Sequence, residues 1–275
     1  MILRNLSLSE LETVLEWAAT EGWNPGRDDP EAFLAADPEG FFVAEVDGRL
    51  AAAISVVNHS DSFAFLGLYI CHPDFRGRGI GLALWKHALE HAGGRTVGLD
   101  GVPDQQENYR RSGFVASSET ARFEGPLIAR QNGALRPATA ADMPGMIARC
   151  AAANGYSMDR FLSAWLRPTE YRESLVLDTG NGIAGLATWR RCRQGVKIGP
   201  LVADRLASAT SLLHGIAARA PGETFVIDVP REMPAFAAHC RDAGMTCSFS
   251  TARMYRGAPP EAGGDIHTIA TLELG

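Results

Sequence analysis

The chain has 275 residues, 46% of them hydrophobic and 21% charged, with a formal net charge of -6 and an isoelectric point near 5.7. That length holds one large domain or two modest ones, and the acidic balance excludes a global electrostatic footprint for nucleic acid or an anionic membrane. The cysteines are odd in number, form no Cys-x-x-Cys pair and have no histidine cluster nearby, which argues against a disulfide framework or a metal site and for a reducing, cytoplasmic setting.

In chain order, residues 1–10 lack a basic stretch followed by an apolar core, so no signal peptide is expected. Leu3-Arg4 leads into a capping box, Ser7 with Glu10, and a helix whose apolar residues are Leu8, Leu11, Val14, Leu15 and Ala18. Glu21-Gly22-Trp23 follows it. Asp47-Gly48 is a two-residue hairpin turn between the apolar runs 41–46 and 50–57. Residues 63–71 read as a buried strand too short to span a bilayer, and their parity slips. Phe63 and Phe65 share one phase while Leu66, Leu68 and Ile70 share the other, beside Gly67, which predicts a β-bulge. After His72-Pro73-Asp74 come Arg76-Gly77-Arg78-Gly79-Ile80-Gly81 and a helix bearing Leu84, Trp85, Ala88, Leu89 and Ala92, stopped by Gly93-Gly94. Val97-Gly98-Leu99-Asp100 is a short strand ending in an acid. Asp104 with Glu107 is expected to cap a helix carrying Tyr109, and Gly113-Phe114 follows.

The same marks then return at an offset of about 130 residues. Leu135-Arg136 precedes a second expected cap, Thr139 to Asp142, and a helix with Met143, Met146, Ile147 and Cys150. Asn154-Gly155-Tyr156 follows, then an Asn181-Gly182 hairpin turn, Val226-Ile227-Asp228 and Gly244-Met245. Seven residues beyond Gly113 and Gly244 stand Thr120-Ala121-Arg122 and Thr251-Ala252-Arg253. Shared turn vocabulary alone does not produce that match. The chain therefore reads as two homologous α/β modules over residues 1–131 and 132–257, with a tail over 258–275.

A glycine-rich turn between a strand and a helix is a device for binding phosphate: the backbone approaches the anion, and the free N–H groups of the first helical turn point at it. Leu82 stands where a Rossmann fingerprint needs its third glycine, and no P-loop Gly-Lys-Ser/Thr occurs. Pro73-x-x-Arg76-Gly77-x-Gly79-Ile80-Gly81 instead resembles the pyrophosphate motif of GNAT acetyltransferases, with Cys71 where valine is usual. Tyr109-x-x-x-Gly113-Phe114 resembles the element that closes the same domain, roughly 30 residues downstream. Glu21-Gly22-Trp23-Asn24-Pro25-Gly26, Gly98 to Val102 and Thr251 to Gly257 are similar to two-module YitH-like members of that superfamily.

The resemblance implies an α/β (α+β) fold in which each module is a mixed, mainly antiparallel sheet flanked by helices, with acetyl-CoA as cosubstrate, no metal, and direct acetyl transfer to a small-molecule primary amine. It assigns acetyl-CoA binding to Ile70, Cys71, Arg76, Gly77, Arg78, Gly79, Ile80 and Gly81. Tyr109 is the candidate acid for the leaving thiolate, against simple packing of its ring; Asp100 is a candidate base or cation-binding group, against a turn-capping aspartate. Trp23, Asn24 and Asp228 are candidates for the acceptor pocket. Cys71 has no histidine partner in sequence and is expected to pack. In the second module, residues 202–208 lack the glycine–arginine turn and Cys240 replaces Tyr109, so that module is expected to have lost its cofactor site.

A non-catalytic CoA-binding sensor is the alternative. A transferase using aminoacyl-tRNA is disfavoured by the acidic balance and the absence of a Lys/Arg run, so neither a nucleic-acid nor a membrane partner is expected. An exposed sheet edge could pair with another copy to form a homo-oligomer.

Overall fold

The computed structural model describes residues 1–180 and 182–275. Asn181, half of the expected second hairpin turn, lies outside the described residues. The first half comprises β1 (Ile2–Asn5), α1 (Leu8–Thr20), α2 (Asp29–Ala36), β2 (Phe41–Val46), β3 (Arg49–Asn58), β4 (Phe63–Cys71), α3 (Ile80–His91), β5 (Thr96–Gly101), α4 (Gln106–Arg111) and β6 (Val115–Gly125). The second comprises β7 (Leu135–Pro137), α5 (Met143–Asn154), α6 (Asp159–Trp165), β8 (Arg172–Asp178), β9 (Ile183–Arg191), β10 (Val196–Ala203), α7 (Leu206–Arg219), β11 (Phe225–Pro230), α8 (Pro234–Asp242), β12 (Thr246–Arg256) and β13 (Ile266–Thr268).

Local signals explain many boundaries. Ser7 and Glu10 form the expected capping box at α1, and Asp47 and Gly48 take positive φ (51° and 74°) in a two-residue turn joining β2 to β3. Arg4 grips Glu10 and Glu45, and Arg136 grips Asp142 and Asp178, so one ion-pair triad recurs in each half. Two expected caps differ. The Asp142 carboxylate accepts from the Thr139 N–H and hydroxyl (2.7 and 2.8 Å), so Asp142 itself becomes the boundary residue and α5 starts at Met143. Pro103 opens a short 3₁₀ turn, which moves the start of α4 to Gln106 and leaves Asp104 outside its cap.

The strands form one sheet in the order β1-β2-β3-β4-β5-β12-β6-β11-β10-β9-β8-β7. The strands that carry the Thr-Ala-Arg segments are exchanged between the halves: β12 pairs with β5, and β6 pairs with β11. The two also pair with each other, Thr120 opposite Thr251, so the Thr-Ala-Arg segments cross at a pseudo-twofold. α3 and α4 cover one face of the first half, and α7 and α8 cover the same face of the second. On the opposite face α1, α2, α5 and α6 share one core with residues of both halves, including Phe33, Phe65, Phe161, Trp165 and Leu274. Among the described residues, no helix is long and apolar enough to cross a membrane.

Each half contains one parallel strand pair that separates early. β4 and β5 pair from Phe63–Thr96 to Leu66–Leu99 and no further, and β10 and β11 pair from Val196–Phe225 to Ile198–Ile227. In the second half the gap is filled. β13 pairs antiparallel with β10, Thr268 donates its hydroxyl hydrogen to the Ile198 carbonyl at 3.2 Å, and the Ile269 N–H bonds the Asp228 carbonyl. In the first half the gap opens into a cavity.

Candidate active site

The cavity begins at a bulge. The β3–β4 register shifts between Ala53 and Ser55, and Leu68 has φ 45°, an uncommon conformation for a leucine that turns the end of β4 away from β5. The backbone from Gly67 to Cys71 consequently has no strand partner on its β5 side. Gly67 is required by a close approach: a Cβ there would lie 1.9 Å from the Glu273 carbonyl oxygen.

Beyond β4, Gly77 and Gly79 adopt positive φ (74° and 76°), and Gly79 is the N-cap of α3. The first α3 bond runs from the Ala83 N–H to the Gly79 carbonyl, which leaves the Ile80, Gly81 and Leu82 N–H groups without helical acceptors. A Cβ at Gly77 or Gly79 would meet nothing within 4 Å, so open space lies before this helix end. Arg76 bonds the Cys71 carbonyl (2.9 Å) and Glu21, and Arg78 lies over the Phe75 ring. The positive helix end, the arginines and the unpaired β4 backbone fit a group with a charged pyrophosphate and an amide-bearing arm, as acetyl-CoA has. The Cys71 thiol donates to the Ala51 carbonyl at 3.4 Å and burial pushes its pKa up, so it packs as an inert thiol.

At this point the structure opens a cavity of about 820 Å³. Its lining includes Tyr69, Ile70, Cys71, Arg76 and Tyr109, together with Trp23, Arg122, Phe249, Thr251, Leu272 and Glu273. Tyr109 is 8% exposed, its ring stacked on Trp85 at 5.4 Å, and burial together with nearby Tyr69 pushes its hydroxyl well above the usual tyrosine range. The hydroxyl therefore stays protonated at neutral pH. The counterpart position in α8 is Cys240, fully buried in the other core, and the Phe114→Tyr109 and Met245→Cys240 backbone bonds superpose the two elements.

The acid candidates pair across the strand exchange. Asp100 borders the cavity with both oxygens in the fork of Arg253, each at 2.8 Å; burial pushes its carboxyl up against the pull of that guanidinium. Asp228 does not border the cavity. Its oxygens accept from Arg122 at 2.8 and 2.9 Å, and although burial opposes ionisation, Arg122 holds the carboxyl below the usual range. Two candidates for the acceptor pocket have partners within the protein. The Asp228 oxygens are occupied by Arg122, and the Asn24 amide bonds the Gln194 backbone across the halves (2.7 and 3.2 Å). Trp23 does border the cavity, and its carbonyl accepts from buried Lys197 at 2.8 Å.

Sequence reasoning missed Arg122, Phe249, Leu272 and Glu273. The repeated Thr-Ala-Arg segments pointed to Arg122 but did not say which half its strand would join. At the counterpart of the 76–81 turn, Arg205 precedes α7 and the Ser208 hydroxyl donates to Asp204 at 2.8 Å; residues 202–208 contain no glycine. Among the described residues, no cluster of His, Cys, Asp and Glu forms a metal site.

Comparison with known proteins agrees with this geometry. The chain matches the acetyltransferase (GNAT) family over residues 8–114 and an acetyltransferase (GNAT) domain over residues 146–267. A holothin acyltransferase of Pseudoalteromonas sp. (strain SANK 73390) is 36% identical over 276 residues, covering 98% of this chain and 92% of that protein. A putative acetyltransferase from Pyrococcus horikoshii shares the fold with a TM-score of 0.84 at 20% identity, over 100% of this chain and 95% of that one. A tandem GNAT protein from the clavulanic acid biosynthesis pathway does so with a TM-score of 0.63 at 16% identity, over 94% and 99% of the two chains.

Proposed function

The chain belongs to the acetyltransferase (GNAT) family of acyltransferases, and on that premise we propose that it transfers an acetyl group from acetyl-CoA directly to a primary amine of a small molecule. The observation that carries this reading is the joining, in one cavity, of the splayed β4 edge, Arg76 at the start of the glycine-rich turn that caps α3, and Tyr109. Acetyl-CoA would supply the thioester-activated acyl group.

The residues divide the work. The Ile80, Gly81 and Leu82 N–H groups, with Arg76 and Arg78, would hold the pyrophosphate, and the unpaired backbone from Gly67 to Cys71 would align the arm that carries the acyl group. Tyr109 would hold a proton for the departing sulfur, a role consistent with burial keeping its phenol protonated. Trp23, Phe249 and Leu272 would exclude water around the acceptor, and Arg122 would present its remaining donor to it. The relative's name makes holothin the first acceptor to try.

The test is release of free thiol from acetyl-CoA in the presence of holothin, polyamines, aminoglycosides and amino acids. Amine-dependent thiol release with a matching N-acetyl product is expected. Tight acetyl-CoA binding with no turnover across this set would favour a sensor.

A further inference from the structure

Direct transfer to an amine needs a group that removes a proton from the acceptor's ammonium, and five carboxylates border the cavity: Glu21, Asp100, Asp104, Glu124 and Glu273. Four are engaged or outlying. Asp100 lies in the fork of Arg253, Glu21 is bonded to Arg76, and Glu124 accepts from the Ser248 hydroxyl at 2.8 Å. Asp104 is exposed on the turn before α4.

Glu273 differs from all of them. It is 8% exposed, and its backbone carbonyl rests on Gly67, where β4 parts from β5. The Thr271 hydroxyl donates to its Oε2, and among the described residues no side chain or backbone group donates to Oε1. Among the described residues no cation lies within ion-pair distance of it: of the nearby cations, Arg122 and Arg190 hold Asp228 and Asp29, and Lys197 donates to the Trp23 carbonyl. The segment carrying it is fixed at both sides: β13 sits against β10, the Leu274 carbonyl accepts from His59 Nε2 at 2.8 Å, and the Gly275 N–H bonds the Thr271 carbonyl. A buried carboxylate with one oxygen free, held rigidly at the mouth of the splayed strands, has the geometry of a general base.

We infer that Glu273 is a further catalytic residue, the base that takes a proton from the acceptor's ammonium; this rests on the amine-acylation reading above. Its carboxylate accepts one proton and leaves a neutral amine. The nitrogen lone pair forms the C–N bond, and the C–S bond breaks with its electron pair going to sulfur, which takes the Tyr109 proton. The second proton lost by nitrogen restores Tyr109, and Glu273 releases its own to solvent.

The test compares two acceptors near neutral pH, following thiol release from acetyl-CoA and correcting for the uncatalysed reaction. Benzylamine is almost wholly protonated there and needs a base; hydroxylamine is largely neutral and does not. Glu273→Gln is expected to slow benzylamine acetylation about 100-fold or more and hydroxylamine acetylation less than about 10-fold, with calorimetric affinity for acetyl-CoA unchanged. An equal loss with both amines, or full retention with benzylamine, overturns the assignment. Should Glu273→Gln fail to fold, Glu273→Asp decides by the same contrast, since its shorter arm withdraws the base while keeping the charge. Wild type that releases no thiol with either amine overturns the amine-acylation reading and this assignment together, whereas an active wild type with unselective loss overturns this assignment alone.

Discussion

Arg253 and Asp100 face each other on neighbouring strands, joined by two hydrogen bonds of 2.8 Å across 153 positions of sequence. Arg122 and Asp228 repeat the arrangement at 2.8 and 2.9 Å. In each pair the arginine comes from an exchanged strand, β6 or β12, and the aspartate from the other half, so those strands are locked by two buried, reciprocal ion pairs.

Removing one arginine strands its carboxylate. Arg253→Met should destabilise the protein by about 3–5 kcal/mol in urea unfolding, because Asp100 is left buried and unpaired. Arg253→Met with Asp100→Leu should recover most of that loss, an apolar pair needing no counter-charge. A single variant within about 1 kcal/mol of wild type would show that the pair does not brace the sheet.

At the helix end, Gly79→Asp should abolish acetyl-CoA binding, since it sets a negative charge before the N–H groups of α3. Gly79→Ala isolates the backbone part. Its Cβ meets nothing, but φ 76° strains it by roughly 1–2 kcal/mol, so some binding should remain. Wild type should titrate with one acetyl-CoA per chain, because β13 fills the second splayed gap. Normal calorimetric binding by Gly79→Asp would remove the site from this helix.

Tyr109→Phe should lower kcat by about 10²–10⁴-fold while leaving acetyl-CoA affinity and unfolding stability close to wild type. The ring keeps its stack on Trp85, and among the described residues the hydroxyl makes no hydrogen bond whose loss would weaken the fold. Equal turnover by the phenylalanine variant would leave the residue with packing alone.

His59 makes stability pH-dependent. Burial pulls its pKa from 6.5 down to about 4. Between those values the unfolded chain binds a proton that the folded chain refuses, so stability is full above about pH 6.5 and falls as the solution is acidified towards 4, by up to about 3 kcal/mol. His59→Asn should flatten that slope in urea titrations at pH 7, 6 and 5 and loosen the 271–275 segment it holds. An unchanged slope would assign the acid sensitivity to other groups.

What could be read from the sequence was what short-range chemistry decides. The parity slip at Gly67 marked the bulge, Gly77 and Gly79 marked the turn into α3, and Ser7 with Glu10 marked the start of α1. Its motif neighbours placed Trp23 in the loop after the first helix, and that loop borders the cavity. The strand exchange was not legible, because β6 and β12 carry the same Thr-Ala-Arg pattern and either could in principle close either half. The bond from the Asn24 amide to the Gln194 backbone was not legible, because its partner lies 170 positions away in sequence. Leu272 and Glu273 follow a glycine- and proline-rich stretch with no helical or strand period, and only long-range packing brings them to Gly67.

The exchange also governs the order in which the molecule can be completed. A ribosome delivers β5 long before β12, its neighbour in the sheet, so the first half spends much of synthesis with an open edge. The native arrangement closes only after both halves are available, so its completion depends on contacts of long sequence separation, the kind that form slowly. Expression of either half alone would leave a sheet missing an interior seam, a template for pairing with the wrong chain.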